Sequence, residues 1–199
     1  MIFGQCEKNG IKRVFVKVDD EITILDKNIS STLTLLNSYD YGLPLSQFIV
    51  RLIKKSSKKT TYISFNDFIN DNNRLLKPIN SPEVWAVGVT YKRQAKEHDT
   101  DIELKQGRKE DLYQYVYDNE RAEVFFKGFD RSIIGSNQTL MLRPDSNNIM
   151  PEGELVLILG KNSLPICYTL GNDLTAWDIE SECPLYLNQA KIWTGSGSI

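Results

Sequence analysis

Cysteine is scarce and scattered. Cys6, Cys167 and Cys183 are odd in number and show neither a CxxC pair nor zinc-knuckle spacing, which argues against a disulfide framework and for buried free thiols in a reducing compartment. Net charge is nearly absent too: 24 Lys and Arg stand against 26 Asp and Glu. A chain so balanced has no global field to draw in nucleic acid or an anionic membrane, so small molecules or proteins are the expected partners. The start, "MIFGQCEKNGIKRVF", has no signal-peptide core, and no apolar run approaches the ~20 residues of a membrane span. A soluble, cytoplasmic protein is expected. Internal repeats and low-complexity stretches are also missing. What remains, 199 residues with 41% hydrophobic and 10% aromatic content, is enough to bury a core.

Residues 1–78 differ in texture from the rest of the chain. "IKRVFVKV" and "EITIL" alternate as two strands around a polar "DD" corner, and "PLSQFIVRLIKKS" places apolar residues at helical spacing. This is the pattern of a small α/β unit. The basic "KKSSKK" at 54–59 reads as a solvated helix end in keeping with the helix dipole, rather than as a phosphate or nucleic-acid patch. "LLKPINSPEV" marks a boundary near residue 80. Beyond it, "EVWAVGVTY" reads as a buried strand and "KEDLYQYVYDNE" as an amphipathic helix. "AEVFFKG" reads as a short strand. In "TAWDIESECP", Thr175 and Asp178 have capping-box spacing with Pro184 limiting the helix. The whole is a β-rich mixed pattern.

One stretch poses a chemical question. In "PEGELVLILG", residues 151–160, two carboxylates stand one residue apart at the mouth of an oily run. In a strand Glu152 and Glu154 share a face, and Leu155, Leu157 and Leu159 fill the other. Like charges that close call for a divalent cation, or for a raised pKa on one of them. "KNSLPICYTLGND" reads as a turn and strand bringing Asp173 to its end. If the two strands pair antiparallel, Glu152, Glu154 and Asp173 meet at one sheet end as hard oxygen ligands for Mg²⁺, Mn²⁺ or Ca²⁺. The plainer reading is two strand-edge glutamates and a capping aspartate.

Taken in order, "PEVWAVGVTY", "VYDNERAEVFFKG", "PEGELVLILG" and "CYTLGNDLTAWDIESECPLYLNQAKIWTGS" resemble the fumarylacetoacetate hydrolase family. More narrowly, they are similar to the branch that contains the 2-keto-3-deoxyarabonate dehydratases. The resemblance covers residues 82–199. It implies an α+β fold, a mixed β-roll of the family's C-terminal type over 79–199 behind a small N-terminal domain at 1–78. It also implies a metal-dependent, often homodimeric enzyme acting on 2-oxo acids by hydrolysis, decarboxylation, isomerisation or dehydration.

Residue by residue, the resemblance makes Glu152, Glu154 and Asp173 metal ligands, with Mg²⁺ (or Mn²⁺/Ca²⁺) as cofactor. It makes Lys191 and Lys127 catalytic lysines that stabilise an enolate or shuttle a proton, and Glu123 a general base. His98, beside Glu97, is either a lid residue or a solvent-facing loop histidine. Three differences from the family pattern stand out: Gly153 between the glutamates where proline is usual, Trp177 where members carry arginine, and an expected roll incomplete at its C-terminus after "TGSGSI". The expected function is a dehydratase of a 2-keto-3-deoxy sugar acid. The alternatives are a C–C bond hydrolase or decarboxylase of the same family, or a non-catalytic relative that needs another chain to finish its core.

Overall fold

The computed structural model describes residues 1–56, 60–92 and 112–199. His98 and Glu97 lie outside them. The chain begins with β1 (Ile2–Lys8), β2 (Ile11–Val18) and β3 (Glu21–Ile24). The register Lys8↔Ile11 leaves a two-residue loop, Asn9-Gly10, with φ of 52° and 75°. Both values are positive, as a turn matching the strand twist requires, and Asn-Gly is the pair that tolerates them best. The "DD" corner between β2 and β3 likewise uses Asp19 at φ 52°.

Helices α1 (Thr32–Asn37) and α2 (Leu45–Lys55) come next, then β4 (Thr60–Tyr62), α3 (Phe65–Asn70) and β5 (Arg74–Leu75). Ser31 and Ser64 cap α1 and α3 by accepting from the backbone N–H groups of Thr34 and Asp67. Lys54 and Lys55 close the last turn of α2, where cations suit the dipole. The five strands form one antiparallel sheet in the order β4-β3-β2-β1-β5. Val14, Phe15 and Val16 are all buried although they alternate across the sheet, so both faces of β2 are covered. Val14 and Val16 pack with Leu35, Leu36 and Ile49 from α1 and α2. On the opposite face Phe15 packs with Cys6, Ile22 and Phe68.

The rest of the chain supplies shorter pieces. Strands β6 (Glu83–Val87) and β7 (Val124–Phe129) form an antiparallel ribbon, with α4 (Leu112–Asp118) between them in sequence. Strands β8 (Ile133–Ile134) and β9 (Ile149–Met150) precede the long pair β10 (Gly153–Leu159) and β11 (Pro165–Asp173). Then come β12 (Thr175–Ala176), α5 (Trp177–Glu182), α6 (Leu187–Lys191) and β13 (Gly197–Ser198). The second sheet has the order β10-β11-β13-β8, antiparallel except for the parallel β13–β8 contact, and β9 pairs with β12. The architecture is a mixed α+β fold. The two sheets are not independent in packing: Ile79 belongs to the Val14 cluster, and Ile158, Ile166 and Ile199 lean against it.

The structure corrects two expectations. Strand β6 is not buried, because the ribbon's outer side is open: Trp85 is 59% exposed, with Val87 also exposed. Thr175 is not a helix cap. It sits in β12, and α5 begins without a side-chain cap, while Asp178 turns away to accept from Ser146 Oγ (2.6 Å) and the backbone N–H of Asn147 (2.8 Å).

Candidate active site

The β10–β11 pair does the placing. Its register sets Glu154 opposite Gly171 and Gly153 opposite Asn172, and the Asp173 N–H donates to Glu152 O at 2.8 Å. Glu152, Glu154 and Asp173 therefore share one face at one end of the ladder. Asn172 secures that end by accepting the Glu152 N–H at 3.0 Å. Gly171 is required by crowding: a Cβ there would lie 2.6 Å from Val156 Cγ2.

Lys191, delivered by the end of α6, reaches into this end of the sheet. Its ammonium donates to Glu152 Oε2 (2.8 Å) and Thr175 Oγ1 (2.7 Å) and pairs with Asp173 Oδ2 (3.2 Å). Lys127, from β7, donates to Leu174 O (3.0 Å) and Lys191 O (2.5 Å) and lies 2.5 Å from Asp173 Oδ1. Both lysine side chains are at most 5% exposed, so each buried cation is matched by a buried carboxylate. Trp177 is not merely a lost arginine, since its indole N–H donates to Glu152 Oε1 at 2.8 Å and helps fix that carboxylate.

The electrostatics reflect burial and crowding. Burial pushes the Glu154 carboxyl above the usual range, and Asp173 and Glu152 add to the shift by like-charge repulsion. Burial also raises Glu123 against the pull of Lys191. Burial favours a neutral Lys191, but Asp173, Glu180 and Glu152 outweigh it and hold the ammonium charged well above its ordinary range. For Lys127 burial wins, and its pKa is lowered despite Asp173. The Cys6 and Cys167 thiols are pushed up to about 11 by burial, so neither supplies a thiolate at neutral pH.

Among the described residues no group of three or more His, Cys, Asp and Glu stands in a metal-holding arrangement. Glu152 and Asp173 are turned to the lysines. The donor set nonetheless fits a hard cation. All three groups are carboxylates, and the buried Asp173 Oδ1 has the Lys127 ammonium, 2.5 Å away, as its ion-pair partner. At Glu154, repulsion from Asp173 and Glu152 adds to burial and is only partly offset by Lys191, and a divalent charge would remove it.

Glu123, just before β7, shares with these groups a cavity of about 990 Å³ that also touches Lys191, Phe125 and Leu155. It lies so close to Gly88 that any Cβ at that position would collide with its carboxyl. One further acid faces the site. Glu180, on α5, has its Oε1 4.0 Å from Lys191 Nζ. Burial raises its pKa to about 7, opposed by Lys191 and reinforced by Glu152, Asp173 and Glu123. Nothing in "TAWDIESECP" marked it, because it is one of three acids on a six-residue helix, Asp178, Glu180 and Glu182, and their spacing does not single it out.

This carboxyl makes stability depend on pH. Glu180 holds its proton to about pH 7 when folded, whereas an unfolded glutamate loses it near pH 4.3. The folded state binds more protons between those values, so stability falls as pH rises through this window and levels off above it. Without divalent cations, Glu180→Gln should melt higher than the parent at pH 8 and close to it at pH 4. Melting curves at the two pH values check this, and an equal shift at both would refute it.

No family model matches the chain. Over 127 residues it is 39% identical to a 2-dehydro-3-deoxy-D-arabinonate dehydratase of Saccharolobus solfataricus, a match covering 64% of this chain and 42% of that protein. Over 124 residues it is 38% identical to a probable 2-keto-3-deoxyxylonate dehydratase of Haloferax volcanii, covering 61% and 40%. The chain thus matches less than half the length of these curated relatives. A solved 2-keto-3-deoxy-D-arabinonate dehydratase complexed with magnesium and 2,5-dioxopentanoate superposes with a TM-score of 0.74 at 27% identity, covering 98% of this chain and 63% of that one. A fumarylacetoacetate hydrolase from Exiguobacterium antarcticum, at 18% identity and a TM-score of 0.62, shares the fold. The resemblance to the fumarylacetoacetate hydrolase family, nearest its 2-keto-3-deoxy-arabinonate dehydratase branch, therefore holds in both sequence and fold.

Proposed function

We propose that this chain carries the catalytic face of a divalent-metal-dependent dehydratase that removes water from a 2-keto-3-deoxy sugar acid. The observation that carries the reading is the meeting of Glu152, Asp173 and Lys191 at one sheet end, on a cavity shared with Glu154 and Glu123. Relatives of this chain are named as dehydratases of such acids, and one was solved with magnesium and a 2-oxo acid. In this reading residues 79–199 hold the catalytic core and residues 1–78 form a small N-terminal domain. The working protein is a cytoplasmic homo-oligomer.

Glu152, Glu154 and Asp173 would hold Mg²⁺, which supplies a Lewis acid for the 2-oxo carbonyl. The chain's own groups do the rest. Glu123 takes the proton from C3, and burial, which raises its pKa against the pull of Lys191, makes it a stronger base than an exposed glutamate. Lys191 sets a full positive charge where negative charge builds on the substrate oxygen. Lys127 spends its ammonium on Leu174 O, Lys191 O and Asp173, so it acts as a positioning residue, holding Asp173 and the end of α6 in place.

The test is incubation with a 2-keto-3-deoxypentonate and MgCl₂, then NMR, with oxaloacetate and an acylpyruvate as competing substrates. Loss of water from the sugar acid, abolished by a chelator, is the expected result. Carbon dioxide from oxaloacetate or C–C cleavage of the acylpyruvate as the faster reaction would replace dehydration with decarboxylation or hydrolysis.

A further inference from the structure

We propose that Glu180 is a catalytic carboxyl that donates a proton to the C4 hydroxyl as it leaves, working in the same cavity as Glu123. This rests on the dehydratase reading above. The Glu180 side chain is 15% exposed and lines the same cavity as Glu123, Glu152, Asp173 and Lys191. It helps hold Lys191 charged, but that does not exhaust its role. That ammonium already has Glu152 Oε2, Thr175 Oγ1 and Asp173 Oδ2 within 3.2 Å, and Glu180 at 4.0 Å is beyond a hydrogen bond. A carboxyl kept in a crowded acidic pocket without a hydrogen bond to the nearest cation is costly to the fold, and it lines the cavity that the substrate would enter.

Dehydration needs such a group. The C3–H and C4–O bonds break, a C3=C4 double bond forms, and the hydroxyl departs as water once it has gained a proton. One residue must accept a proton and another must give one, with no change of oxidation state. Glu123 leaves the step protonated and Glu180 leaves it ionised, and exchange with solvent restores both. Among the described residues, the charged groups that act on Glu180 are Lys191, Glu152, Asp173 and Glu123.

The test separates the two proton transfers. Two reactions are monitored with MgCl₂ present: dehydration of a 2-keto-3-deoxypentonate, and C3 hydrogen–deuterium exchange of 2-oxopentanoate, which has no C4 hydroxyl to lose. Glu180→Gln should lose roughly 10²–10⁴-fold in dehydration and far less in exchange, while Glu123→Gln loses both. The unequal loss is a readout that a purely structural glutamate would not give, and melting curves confirm that the variant is folded. Parallel loss of both reactions in Glu180→Gln, or loss of neither, overturns the proposal. If the parent chain catalyses neither reaction, the dehydratase reading fails at the level of turnover, and calorimetric binding of the two acids decides for Glu180. A preference for the hydroxylated acid that disappears in Glu180→Ala supports the contact. No preference, or one that Glu180→Ala keeps, overturns it.

Discussion

Lys191→Met is expected to cut turnover by roughly 10²–10⁴-fold, to leave Mg²⁺ affinity unchanged or tighter, and to make folding depend on Mg²⁺. Each part has its own cause. Turnover falls because the ammonium is placed to meet charge that develops in the reaction, an interaction made mainly in the transition state. Affinity holds because Lys191 contacts Glu152 and Asp173, so its removal frees two proposed ligands and takes away a neighbouring positive charge. Stability falls because methionine leaves Glu152 buried without its cation and Asp173 with Lys127 alone, and breaking a buried pair typically costs about 3–5 kcal/mol. Mg²⁺ should restore most of that loss. Turnover, calorimetric titration with MgCl₂, and melting with and without the ion test the three parts separately. Loss of Mg²⁺ binding in step with turnover would make Lys191 a structural residue.

The sheet geometry behind this site was legible in the sequence because it depends on a period of two. Alternation in "PEGELVLILG" put Glu152 and Glu154 on one face, and the antiparallel partner brought Asp173 to the same end. Periodicity also found the β2–β3 pair, α2 and α4. Lys127 and Lys191 could not be found that way. They lie 64 residues apart and meet through a bond from Lys127 Nζ to Lys191 O, so only the resemblance pointed to them. Glu180 and the Trp177 indole went unread for a related reason, since their roles depend on how α5 is placed over the sheet end and not on local spacing. The exposed ribbon β6–β7 misled because an apolar run of strand length says nothing about what covers it.

The chain is expected to associate through the outer face of β10–β11. Leu155 and Leu170 are opposite one another there, as are Leu157 and Tyr168, and all four are at least half exposed, the last residue of each pair at 76%. With Leu159 they make a continuous apolar surface of the kind monomers seldom leave open. Strand β10 is also an edge of its sheet in the described order, and its backbone is free to extend a ladder with a second copy. Burying four such side chains against a like surface gains roughly 1.5–3 kcal/mol apiece before the entropy of association is subtracted, which favours dimers or larger species at micromolar to millimolar concentration. Sedimentation velocity across that range should show association in the parent, and the double variant Tyr168→Lys, Leu170→Lys, at two positions that do not line the catalytic cavity, should remain monomeric while keeping its circular dichroism. The inner face, with Glu152, Glu154 and Asp173, is untouched by these substitutions, so the monomeric variant also reveals whether turnover needs the second copy. A parent chain that stays monomeric throughout would mean that this face is tolerated in water as it is.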